Sequence, residues 1–125
     1  MGDYVFLYEL TPEVLKAFNQ AGAGDAVSSS GGVFDVLRAI NKKLDHIFPD
    51  FARVLETRIT YFSQLKEKRV LKSGGPFFGF TGGMFIFEAP NLEAARSIVE
   101  NDPLYLHSYI RKDYIVREWY NLFDK

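Results

Sequence analysis

The sequence contains no cysteine, which excludes a disulfide framework, a thiolate nucleophile and a cysteine-bound zinc. Its two histidines, His46 and His107, lie far apart in the chain and make a poor metal pair. Neither sign of charge is in excess: 15 Lys and Arg against 16 Asp and Glu leave a net charge of −1. No overall field draws a phosphate backbone or an anionic membrane, and nucleic acid is not an expected partner. No apolar run approaches the ~18 residues that a membrane span requires. The opening MGDYVFLYEL carries acids where a signal peptide needs bases. A cytoplasmic location follows as the expectation, and no cofactor is implied.

What is present is the composition of one globular domain. At 125 residues the chain is long enough for one core and short for two, so residues 1–125 read as a single domain. Its 47% hydrophobic and 25% charged residues exclude the signature of disorder. The 12 Phe and 7 Tyr are more rings than one small core needs, which points to a subunit interface or an aromatic-lined pocket.

Tyr4 to Leu10 reads as a strand with both faces apolar, central in its sheet. Thr11 caps and Pro12 opens a short helix carrying Val14, Leu15 and Phe18. Ala21 to Gly32 (AGAGDAVSSSGG) has the composition of a flexible connection. From Val33 to Ile47 apolar residues recur at helical spacing up to Pro49. Residues 11–50 thus form a helical and Gly/Ser-rich insertion. Phe51 to Lys68 repeats the helical period, with Asp50 placed to cap it. A short strand, Arg69 to Lys72, is expected to end in a turn at Gly74-Gly75-Pro76. Met84 to Glu88 is an apolar strand following a second glycine turn at Gly82-Gly83. Asn91 caps a helix over Leu92 to Glu100 with Leu92, Ala95, Ile98 and Val99 as its buried stripe. Asn101-Asp102-Pro103 ends that helix, and Tyr114 to Trp119 forms the last strand. The order is that of an α+β, ferredoxin-like four-stranded antiparallel sheet with helices on one face and a long first crossover.

The stretch RITYFSQLKEKRVLKSGGP followed by GGMFIFEAPNLEAARSIVENDP resembles the YCII-related (YciI-like) family. That family's pattern is a His opening a helix, a short strand ending in Gly-Pro, an apolar strand and a helix closing on Asp-Pro. The resemblance covers Tyr4 to Leu10 and Arg58 to the C-terminus. It implies a dimeric α+β barrel, in which sheets pair face to face, and a cleft in which a His and an Asp move a proton on a small molecule. Here the family's His position holds Arg58, and its Asp position holds Asp102. Arginine stays charged, so it cannot serve as the base, but it can bind an anion or oxyanion.

Four residues follow as candidates. Arg58 is either an anion clamp or half of a structural ion pair. Asp102 is either a cleft carboxylate or turn chemistry before a proline. His107, five residues on, is the one imidazole near Asp102 and can take the place of the missing His; its alternative is packing beside Tyr105 and Tyr109. Tyr61, one turn after Arg58, either donates a hydrogen bond to whatever Arg58 holds or packs in the core. His46 and the run Lys66 to Arg69 read as solvated surface. Three functions stay open: a cofactor-free lyase or isomerase acting on a small aromatic or anionic molecule, a ligand-binding or regulatory module without chemistry, and a structural dimer. A homodimer is expected in each case, because a small sheet would otherwise leave one apolar face in water.

Overall fold

The structure is a computed structural model and describes residues 1–20, 50–79 and 81–123. The expected connection Ala21 to Gly32, the helix from Val33 and His46 lie outside the described residues.

Strict alternation along the first strand, β1 (Gly2–Glu9), sends Tyr4, Phe6 and Tyr8 to one buried face and Asp3, Val5, Leu7 and Glu9 to the other. β1 pairs antiparallel with β3 (Gly82–Ala89) on one side and β4 (Ile115–Trp119) on the other. β2 (Leu71–Pro76) adds to β3, giving the order β2-β3-β1-β4. This is the ferredoxin-like α+β sheet, with β1 in its interior.

The helices are α1 (Pro12–Gln20), α2 (Phe51–Glu67), α3 (Leu92–Glu100) and the single turn α4 (Pro103–Leu106). α2 buries Phe51, Val54, Leu55, Arg58 and Phe62 against the inward face of the sheet. α3 buries Ala95 and Val99 there, while Leu92, expected in the same stripe, is exposed at the first position of the helix. Its cap is the expected one, the Asn91 side chain accepting from the Ala94 N–H at 2.8 Å. Thr11 accepts from Val14 N–H at 3.4 Å. Asp50 makes no side-chain cap and instead pairs with Arg53 at 3.1 Å.

β2 departs from its expected bounds. Arg69 turns left-handed (φ 62°) and closes α2, so the strand starts two residues late. After a shift of register between Leu71 and Ser73 it continues through Gly74-Gly75-Pro76, the segment expected to be a turn. Gly74 sits opposite Phe85, whose ring fills the space where a Cβ would stand. As an edge strand β2 tolerates Pro76 at its end, where the missing N–H removes no ladder bond. Gly82 and Gly83 likewise belong to β3, and Gly83 leaves room for the Tyr8 hydroxyl.

On the outward face Val5, Leu7 and Ile86 are partly exposed, and Met84, Ile115 and Trp119 are exposed.

Candidate functional site

Helical spacing places Arg58 between Val54 and Phe62 on the inner face of α2, so its guanidinium is carried into the core, where its side chain is only 8% exposed. A buried cation must find compensating charge. Asp102, fully buried, supplies it from the junction of α3 and α4. Arg58 Nε donates to both Asp102 oxygens at 3.1 and 3.2 Å, and Nη2 donates to Oδ2 at 3.0 Å. Asp102 holds this position because it is also the N-cap of α4: its Oδ1 accepts from Leu104 N–H at 3.0 Å, and Pro103 starts the turn.

The third partner is Tyr8 of β1. Arg58 Nη1 donates to the Tyr8 hydroxyl at 3.0 Å. The guanidinium carbon also lies 4.4 Å from the Tyr8 ring centre, 5.0 Å from Phe85 and 5.3 Å from Phe62, an aromatic cage whose ring faces attract a cation. Phe62 and Phe85 stack at 4.0 Å, within 7° of parallel. Burial opposes the charge on Arg58, but Tyr8 and Asp102 outweigh it and hold its pKa above the ordinary arginine value. A guanidinium has five N–H donors. With three engaged, one on Nη1 and one on Nη2 have no acceptor among the described residues.

Arg58 is also part of the lining of a cleft of about 530 Å³ between α2, β2 and the end of β3. Tyr8, Leu55, Arg58, Phe62 and Phe85 line its inner part, and Ile59, Ser63 and Lys66 its wall along α2. The volume suits a small ligand, and mostly apolar walls with a few convergent polar groups are the usual make-up of such a site.

Of the four residues singled out from the sequence, the structure brings together Arg58 and Asp102 and leaves the other two elsewhere. Tyr61 turns toward α3, where its hydroxyl donates to the Ile98 carbonyl at 2.7 Å. Burial first, then the Asp102 charge, push its pKa up to about 12. His107 is exposed after α4, stacked on Tyr109 with ring centres 6.0 Å apart, and does not line the cleft. Asp102, fully buried and paired with Arg58, does not line it either. The tyrosine in contact with Arg58 is Tyr8. The signal for it in the sequence was a tyrosine on the inward phase of an aromatic strand, where a buried hydroxyl needs a polar partner.

The sequence from 36 to 120 matches the model of the YCII-related domain. The chain belongs to the YCII-related family. The fold of this YCII-related protein is similar to that of 5-chloro-2-hydroxyhydroquinone dehydrochlorinase from Burkholderia phenoliruptrix, solved in complex with 2,5-dihydroxybenzoquinone. The TM-score is 0.57 at 19% identity, over 94% of this chain and 93% of that one. Among curated proteins none matches the sequence. Among the described residues no three His, Cys, Asp or Glu side chains gather to hold a metal ion, and no helix is long and apolar enough to cross a membrane.

Proposed function

We propose that this YCII-related chain is a cytoplasmic homodimer that binds a small, planar, oxygen-bearing molecule in the cleft beside Arg58. One observation carries the reading: a buried guanidinium that lines an apolar-walled cleft has one edge locked by Asp102 and two further N–H groups without an acceptor among the described residues. The Tyr8 hydroxyl accepts from Arg58, and its own proton has no acceptor among the described residues, so it adds a third donor for a ligand oxygen. Phe62 and Phe85, stacked on each other, add apolar surface to the cleft lining. In support, the similar dehydrochlorinase carries a flat oxygenated ring, 2,5-dihydroxybenzoquinone.

In this reading Asp102 holds Arg58 in place and is not the base: Arg58 and Leu104 N–H occupy its oxygens. His107 has no part. The lyase or isomerase alternative is favoured by a different feature, the Tyr8 hydroxyl beside fixed cationic donors, an arrangement that stabilises an oxyanion as it forms.

The test is thermal unfolding with 2,5-dihydroxybenzoquinone, since a ligand of the native state raises its midpoint. The wild type is stabilised, Tyr8→Phe less so, and Ile59→Trp, which fills the cleft from its wall, not at all. Equal stabilisation of all three proteins would remove the cleft from the proposal.

A further inference from the structure

The lining of the cleft is one-sided in charge. Three cations contribute to it, Arg58, Lys66 and Lys72, and among the described residues no Asp or Glu does. Their compensation differs. Arg58 is neutralised by Asp102 at 3.0 Å. Lys72 Nζ is held by Asp3 at 2.7 Å and by Glu88 at 3.6 Å, on the outward side of the sheet. Lys66 has no acidic partner among the described residues. The net positive charge of the cleft therefore belongs to Lys66, at its exposed end, whereas the inner end offers hydrogen-bond donors without net charge.

Position on α2 relates the two ends. Arg58 and Lys66 are eight residues apart, which at 1.5 Å per residue separates their Cα atoms by about 12 Å along one side of the helix. Side chains on a helix lean toward its N-terminus, the direction from Lys66 in which Ser63 and Ile59 also line the cleft.

We infer that the ligand is bifunctional: a carbonyl or comparable acceptor oxygen sits at Arg58 and Tyr8, a flat apolar body lies along Phe62 and Ile59, and an acidic group at the far end meets Lys66. This rests on the cleft being the binding site and names the class of molecule it selects, an aromatic or conjugated oxo-acid. A solvated lysine in the last helical turn also suits the helix dipole, and the experiment separates that role from ligand contact.

The probes are 4-acetylbenzoate and its uncharged near-isostere 4-acetylbenzamide, with affinities measured by titration calorimetry. The acid binds the wild type more tightly than the amide, by about 3–5-fold for a solvent-exposed charge pair. Lys66→Ala abolishes that difference. Lys68→Ala removes the same charge from a position outside the cleft and preserves the difference. An acid preference that survives Lys66→Ala, no preference in the wild type, or no binding of the acid overturns the inference. Ile59→Trp distinguishes the underlying reading: if it leaves binding of both probes intact, the cleft is not the site, whereas loss of both with the acid preference intact in Lys66→Ala defeats the bifunctional ligand alone.

Discussion

Arg58 meets Tyr8 in two ways at once, donating from Nη1 to its hydroxyl at 3.0 Å and lying with its guanidinium carbon 4.4 Å from its ring centre. Together with the Asp102 pair, these contacts leave the guanidinium little freedom. A donor held still before a ligand arrives costs less to use in binding.

The Arg58–Asp102 pair is buried on both sides, at 8% and 0% exposure. Removing one partner leaves the other as an uncompensated charge, at a cost of about 3–5 kcal/mol. Asp102→Ala carries an added cost, because Leu104 N–H loses its acceptor. Urea denaturation of Arg58→Ala, Asp102→Ala and the double variant is expected to give a coupling of about 1–3 kcal/mol. Additive losses would mean that the two side chains do not act as a unit.

Tyr61 titrates late in the folded protein, at about 12 against an ordinary 10.0. A raised folded pKa means that the neutral phenol is the form stabilised by folding. Its contribution is complete below pH 10 and is lost as the pH rises through the window from 10 to about 12. Tyr61→Phe also loses the bond to the Ile98 carbonyl, and near neutral pH it should be about 1 kcal/mol less stable than the wild type. That gap should close as the pH climbs through the window. A gap independent of pH, read from chemical denaturation at pH 8 and pH 11.5, would show that the phenol does not titrate differently on folding.

Gly74→Ala is expected to destabilise by about 1–3 kcal/mol, the usual cost of overpacking a core. Its methyl would enter the Phe85 ring, which is stacked on Phe62 and cannot yield without opening the aromatic cage. Gly75→Ala, with open space around its Cβ position, is the control. Comparable losses in the two variants would place the effect in the strand backbone instead.

The outward sheet face, with Val5, Leu7, Met84, Ile86 and Ile115, is the surface on which a second copy is proposed to dock. Light scattering should return twice the 14.3 kDa chain mass, and Leu7→Lys should halve it. A monomer mass for the wild type at micromolar concentration would end the dimer proposal.

The order of elements was legible in the sequence because it rests on local periodicity. A run of β-branched and aromatic residues between turn residues marked β1, helical spacing marked α2 and α3, and Asn91 and Pro103 marked the ends of α3. The same periodicity put Arg58 on the inner face of its helix. Where two local rules competed, tertiary context chose. Glycines that read as a turn became part of β2, because an edge strand facing the Phe85 ring has room only for hydrogen at Gly74. The site itself was not a local property. Arg58 stands 44 residues from Asp102 and 50 from Tyr8, and no spacing rule reaches across such separations. Tyr61 shared a helical turn with Arg58, yet packing against α3 gave its hydroxyl to Ile98. Sheet pairing brought Tyr8 to the guanidinium instead. Sequence alone determined which elements form and, Leu92 apart, which side of each helix turns inward; only the packing of distant elements decided which face of β1 is buried, which inward groups met and which of them borders open space.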